Sequence, residues 1–232
     1  EAFSKLGAQT ILVDKDETAL KKAVTKLGVG HAYFPIDVTE TDAADQAMLA
    51  AIQNFGGLDI LVSNAGAAHA GPMLSISNDE LRNAFELNFF SHYSFSTEAA
   101  KILKNQNRGG QILFNISKQA VNPGKNFGAY GLPKATTFFL MRQLALELGS
   151  DGIRVNGINA DRIRSGLLTD DFISSRAKSR GVSETEYMAG NLLNKEVKAE
   201  HVANAFTSLA CAESTTGHVM TVDGGNIEAS LR

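Results

Sequence analysis

The sequence has no second cysteine. Cys211 stands alone in 232 residues, so no disulfide can form within the chain, which suits a reducing compartment. No apolar stretch approaches the roughly 20 residues that span a bilayer, and the first residues lack the apolar centre of a secretion signal. There is no excess of one charge: a net charge of −3 sets up no field toward nucleic acid or an anionic membrane. HExxH and other clustered metal-ligand spacings are missing, and the five histidines are scattered. The expectation is a cytoplasmic protein acting on a small-molecule substrate, with no nucleic acid, no membrane and no metal.

What is present is an alternation. The chain is long enough for one α/β domain with a large core, at 44% apolar and 20% charged residues. Short β-rich runs, "TILVD" (10–14), "AYFPID" (32–37), "LDILVSNAG" (58–66), "GQILFNIS" (110–117), "IRVNGINA" (153–160) and "HVMTVDGG" (218–225), are separated by helical patterns. The clearest of these patterns cover 17–27, 41–55, about 79–104 and about 130–149. Strands nearly continuous in Val, Ile and Leu predict burial on both faces. The fold expected is a Rossmann-like, doubly wound parallel sheet in three αβα layers, one domain over 1–232 with a lid-like segment at 161–195.

One element of that fold is not in the sequence. In dinucleotide-binding folds an acidic residue ends the second strand, about 20 residues after a glycine-rich turn. Asp14 ends "TILVD", and counting back passes Glu1, so the first strand and its turn are expected upstream.

The stretch "NISKQAVNPGKNFGAYGLPKA" (115–135) carries chemistry. Ser117 ends a buried strand, where ligands bind in open α/β sheets. Tyr130 and Lys134 stand at i and i+4, on one face of a helix expected to begin near Ala129 or Tyr130 with Pro133 in its first turn. A nearby ammonium favours a phenolate, so the pair is expected to bring the phenol toward a working pH while Ser117 orients a carbonyl or alcohol oxygen. A surface Tyr–Lys contact is the plain alternative.

In order along the chain stand Asp14, "DVT" (37–39), "NAG" (64–66), Asn88 in "ELNFF", Ser117, Tyr130, Lys134 and "TGHVMTVDGG" (216–225). With that set the chain resembles the short-chain dehydrogenase/reductases over nearly its whole length. The resemblance implies that Tyr130 is the general acid/base, that Lys134 binds the nicotinamide ribose, that Ser117 steadies the substrate oxygen and that Asn88 holds a relay water. It implies that Asp14 accepts from the adenosine ribose hydroxyls, which favours NAD over NADP because a carboxylate repels a 2′-phosphate. Asp37 and Val38 would border the adenine, Asn64, Ala65 and Gly66 would line the cofactor, and Ser165 would contact the nicotinamide carboxamide. Each has a bland reading as well: Asp37 as a turn cap, "NAG" as a turn, Asn88 as a backbone partner, Asp14 as a solvated strand end. Members of this family commonly pair through the two long helices and the last strand, so a homodimer or homotetramer is implied.

The sequence departs from the family at "NADRIRSGLL" (159–168), where Ala160 and Asp161 replace the usual Pro-Gly, and at Lys118. Asp161 is expected to stabilise a cationic nicotinamide or to pair with Arg162 or Arg164. Lys118, Lys125, Arg162 and Arg164 are expected to form a basic rim for an anionic group. These stretches, with "YMAGNLL" (187–193) and the tail "VDGGNIEASLR", look like the dehydrogenase module of bifunctional rhamnulose-1-phosphate aldolase/short-chain dehydrogenases. That likeness implies an upstream aldolase module in a larger parent chain and lactaldehyde as substrate. Cys211 is expected to pack in a helix, which leaves no thiol route for an aldehyde. A sensor of dinucleotides, or a scaffold module of the same fold without turnover, is the rival class.

Overall fold

The computed structural model describes residues 1–68, 70–166 and 168–226; Leu167 and the quoted tail beyond Asn226 lie outside it. A short helix α1 (Ala2–Lys5) leads into β1 (Thr10–Asp14), α2 (Glu17–Leu27), β2 (His31–Pro35), α3 (Ala43–Phe55) and β3 (Ile60–Ser63). Then follow α4 (Asn78–Phe85), a π-helical segment (Glu86–Phe90), α5 (Ser91–Gln106) and β4 (Gly110–Asn115). The remainder is α6 (Gly128–Leu148), β5 (Ile153–Ala160), α7 (Asp170–Ser179), α8 (Glu184–Met188), α9 (Ala199–Cys211) and β6 (Val219–Val222).

Every strand pairing is parallel, and β4 lies at the centre of the larger sheet, β3-β4-β5-β6. The alternation of side chains along β4 explains the two covering layers. Ile112 and Phe114 pack against Ala100 and Leu103 of α5 and Met141 and Leu144 of α6. Leu113, pointing the other way, meets Phe206 and Leu209 of α9, with Phe3 of α1 beside them. The apolar run Ile112–Phe114 is therefore buried at every position, with Gln111 buried beside it.

The winding is as expected, but the sheet is not continuous. β1 and β2 form their own two-stranded ladder, from Thr10↔His31 to Asp14↔Pro35. Side chains rather than backbone bonds join it to the rest: Val13 and Phe34 share a core cluster with Ala47 and Met48 of α3, Phe95 and Ala99 of α5, and Leu61 of β3. In the 3-2-1-4-5-6 strand order of dinucleotide-binding sheets, the place between β1 and β3 is that of the central strand.

Three expectations are corrected here. The long helix expected over 79–104 is broken by the π segment, which closes with Ser91 N–H donating to the Glu86 carbonyl. This widened turn shifts the backbone partners of its neighbours: the Asn88 carbonyl accepts from Thr137 Oγ1 of α6 at 2.8 Å, and the Leu87 carbonyl from Ser91 Oγ at 2.7 Å. Helix α6 begins at Gly128, so Pro133 is interior instead of first-turn. Its missing N–H falls opposite the Ala129 carbonyl, one turn after the start. Cys211 is exposed at the end of α9, because Ala205, Phe206 and Leu209 take the buried stripe of that helix.

The segment 161–195 carries α7 and α8, capped by Thr169 and by a Ser183–Glu186 capping box. Leu168, Ile173, Ala177, Tyr187 and Met188 make a small core of its own.

Gly157, mid-β5, lies against Met141 of α6 and Ile116. A Cβ there would lie 2.8 Å from Ile116 Cγ1 and 3.0 Å from Met141 Sδ. Gly157→Val should therefore lower the unfolding free energy by about 1–3 kcal/mol through overpacking, read from urea titrations of both proteins.

Candidate active site

The ends of β3 and β4, the π segment, α5 and the start of α6 bring their polar groups to one place. Lys134 is the centre. It projects from the buried face of α6 and is only 2% exposed. Its Nζ donates to the Asn115 carbonyl at 3.0 Å and lies 3.4 Å from His92 Nε2 and 5.8 Å from the centroid of the Tyr130 ring. Burial alone brings its pKa down to about 7, so near neutral pH it is divided between ammonium and amine.

Tyr130, one turn earlier on the same face, is also buried. The expectation that the ammonium draws its pKa down is reversed: burial dominates and pushes the phenol up, and a hydrogen bond with the Ser117 side chain opposes it. Both members of the pair are dry, so each is pressed toward its neutral form. Ser117 caps the short 3₁₀ turn after β4, where its Oγ also accepts from Gln119 N at 3.2 Å. The structure thus joins Ser117 to Tyr130 and sets Tyr130 beside Lys134, as the spacing required.

Asn88 is 1% exposed, and its Nδ2 donates to the Ala67 and Ala84 carbonyls at 3.0 and 3.1 Å. Its Oδ1 is buried with no partner among the described residues. A Cβ on Gly66 would sit 2.8 Å from that oxygen and 3.6 Å from Lys134 Nζ, so glycine keeps open the space between them. An orphaned acceptor and a buried cation flanking one small gap are groups that invite a polar occupant.

The other expected cofactor residues sit at the ends of β1, β2 and β3. Asp14 is exposed, its Oδ1 accepting from Asp16 N at 3.0 Å. Asp37 Oδ1 accepts from Thr39 N–H at 3.1 Å and Thr39 Oγ1 at 2.8 Å, and Lys15 stands 3.4 Å from its other oxygen. The Thr39 bonds lead in holding its carboxyl below the usual range. Val38 packs on the β1–β2 core cluster. Asn64 Oδ1 accepts from Asn115 Nδ2 at 2.8 Å, which links the end of β3 to that of β4. Ser165 is exposed, its Oγ donating to the Ile163 carbonyl at 3.2 Å.

The basic rim is not a free rim. Asp161, nearly buried, receives Lys118 Nζ at 3.0 Å, Arg162 Nε at 3.3 Å and Asn226 Nδ2 at 2.5 Å. The Arg162 guanidinium also lies 4.8 Å from the Tyr187 ring centroid. Arg164 is paired outward, with Asp170 at 2.6 Å and Glu196 at 2.8 Å. Lys118 and Arg162 thus share one buried carboxylate, which offsets one of their two charges, and Arg164 is held by two exposed or half-exposed carboxylates. Asp161 pairs with Arg162, as one reading had it, and not with Arg164.

Sequence reasoning passed over His92, Ser63 and Asn115. His92 is 1% exposed, with Nδ1 2.6 Å from Ser63 Oγ. Burial first, then the Lys134 charge, holds its pKa well below the usual imidazole value, against a backbone hydrogen bond at Ala65. The available signal was position, since His92 follows Asn88 by four residues in a helical pattern.

Among known proteins, the family model described as enoyl-(acyl carrier protein) reductase matches residues 1–226. The uncharacterized oxidoreductase YuxG of Bacillus subtilis (strain 168) is 33% identical over 236 residues, with 96% of this chain covered. The match covers 34% of YuxG, so this chain spans about a third of that relative. Short chain aldehyde dehydrogenase 1 of Euphorbia lathyris is 29% identical, over 96% of this chain and 81% of that protein. The crystal structure of 3-ketoacyl-(acyl-carrier-protein) reductase from Brucella melitensis complexed with NADH superposes with a TM-score of 0.85 at 25% identity, covering 97% of this chain and 90% of that one.

The buried lysine has a consequence for stability. With a folded pKa near 7 against 10.5 for the free side chain, the folded state holds fewer protons than the unfolded state between those values. Stability should then rise with pH across that window. Lys134→Met removes a buried charge but leaves the Asn115 carbonyl without its donor. It should stabilise the fold by about 1–3 kcal/mol at pH 7, with the gain gone by about pH 10, measured by urea unfolding at both values.

Proposed function

The chain belongs to the short-chain dehydrogenase/reductase family, and from that premise we propose that it is an NAD-dependent oxidoreductase of small hydroxy or aldehyde compounds. The observation that carries the reading is the buried constellation of Ser117, Tyr130 and Lys134 beside the unpartnered Asn88 oxygen.

The gap at Gly66 and the exposed Asp14 fit a dinucleotide: Lys134 and Asn88 would hold its nicotinamide end, Asp14 its adenosine ribose, with Asp37, Val38, Asn64, Ala65, Gly66 and Ser165 along its length. Bound nicotinamide supplies the hydride acceptor or donor. The protein moves the proton. Ser117 Oγ donates to the substrate oxygen and fixes its direction. Tyr130 takes the hydroxyl proton in oxidation and returns it in reduction. Lys134, when charged, makes the phenolate accessible by partly offsetting its burial. A water on Asn88 Oδ1 would join Lys134 to the outside. An aldehyde is oxidised as its gem-diol, whose hydroxyl meets the same pair.

The substrate reading follows from Asp161. An anionic substrate group would have to compete with it for Lys118 and Arg162, which favours a neutral compound, and lactaldehyde is the candidate. Rhamnose catabolism then gives the setting, with an aldolase module in the same parent chain; the small fraction of YuxG that this chain covers supports a modular arrangement. Apolar side chains left exposed on the π segment and the two long helices, Phe90, Tyr93, Leu132, Phe139 and Leu146, support a homodimer or homotetramer, and the reducing-compartment cysteine usage supports a cytoplasmic site.

Tyr130→Phe should lower kcat by about 10²–10⁴-fold with lactaldehyde and NAD while NAD still binds by calorimetry. Retained turnover would overturn the reading, and a dinucleotide sensor would bind NAD with no turnover in either protein. Asp14→Ala should bring the kcat/KM ratio of NAD to NADP at least about tenfold closer to one by removing the carboxylate–phosphate repulsion.

A further inference from the structure

We propose that His92 is a positioning residue for Lys134, acting as a neutral imidazole that accepts from the ammonium through Nε2 and is anchored through Nδ1 on Ser63. This role builds on the reading of Lys134 above and adds a second arm to the site, separate from Asn88.

The geometry fixes the direction of the chain. A lysine ammonium has three donors and no acceptor. When Lys134 is an ammonium, the ring nitrogen 3.4 Å from it accepts, which assigns Nε2 as the nitrogen without a proton. A neutral ring then carries its proton on Nδ1, aimed at Ser63 Oγ 2.6 Å away. Ser63 stands at the last position of β3 and is itself buried, so the anchor is a rigid strand end. On its far side His92 packs against the Phe114 ring of β4, with centroids 6.1 Å apart.

The alternative protonation is excluded by its neighbours. A charged imidazole would face a lysine ammonium, and among the described residues no carboxylate pairs with either group. From α6 the titratable side chains facing this point are Lys134 and Tyr130; from α5 it is His92; the end of β4 contributes the Asn115 carbonyl, β3 contributes Ser63, and the loop after β3 contributes the Ala65 backbone. Burial and the Lys134 charge both favour the neutral ring.

The consequence concerns the protonation of Lys134. Its ammonium has two acceptors in the structure, the Asn115 carbonyl and His92, and burial opposes its charge. Removing one acceptor lowers its proton affinity further and lets the amine dominate at neutral pH.

The test reads the lysine directly. The full chain is labelled with ¹³C/¹⁵N-lysine, the Lys134 signal is identified by its loss in Lys134→Met, and its titration midpoint is followed by NMR. His92→Leu should lower the midpoint by about one unit, tenfold in proton affinity. His92→Gln, whose amide oxygen can reach the place of Nε2, should keep it near the native value. At pH 6 the ¹⁵N shifts of His92 should report a neutral ring protonated on Nδ1. An unchanged midpoint in His92→Leu, or a ring protonated on Nε2 at pH 6, overturns the assignment. Should His92→Leu fail to fold, His92→Asn, which is too short to reach Lys134, replaces it, and equal midpoints for the Asn and Gln variants overturn the assignment as well. Turnover enters none of these readouts, so an inactive chain with the expected titration would count against the oxidoreductase reading and leave His92 in place.

Discussion

The site depends on the burial of one amine. Lys134 is carried by α6 into the layer between that helix and β4, where it is buried and a backbone carbonyl and an imidazole face its amine. Its environment sets the rest. Tyr130 one turn away is dry for the same reason, and Asn88 and Gly66 frame the space left beside it. The same burial that lowers the stability of the fold makes the amine able to change protonation near neutral pH. Stability and chemistry are thus opposed at one atom, as is common where a fold holds a strained or desolvated working group.

The parts of this arrangement set by local pattern were legible in the sequence. β4 was legible because three adjacent apolar residues between polar ends have few other ways to be buried. Tyr130 and Lys134 were legible because a helical interval of four places both on one face wherever the helix begins, and α6 beginning at Gly128 changed nothing in their relation. Ser117 was legible as the polar residue closing a buried run.

What was not legible depends on contacts distant in sequence. The π segment has no compositional mark in "ELNFF"; it is fixed by Thr137, which lies about fifty residues on and takes the Asn88 carbonyl. His92 read as an ordinary helical residue because its two partners, Ser63 and Lys134, come from other elements. The cations at 118, 162 and 164 read as a rim because charge in a loop signals solvent until a buried carboxylate is found among them. The pull of Lys134 on Tyr130 was read with the correct partners and the wrong dominant effect, since sequence shows proximity more readily than desolvation.

The π segment has an effect beyond its own residues. A widened turn amounts to one residue more than a regular helix would use over the same rise, and each residue turns an α-helix by about 100°. Everything from Ser91 onward is therefore rotated relative to α4 by that angle. His92 meets Lys134, and Phe95 and Ala99 meet the β1–β2 core, only at this phase. A chain with one residue deleted between 86 and 90 would restore an unbroken ladder of helical bonds and aim the imidazole elsewhere. The length of this short stretch, more than its composition, is what couples the amino-terminal pair of strands to the polar site.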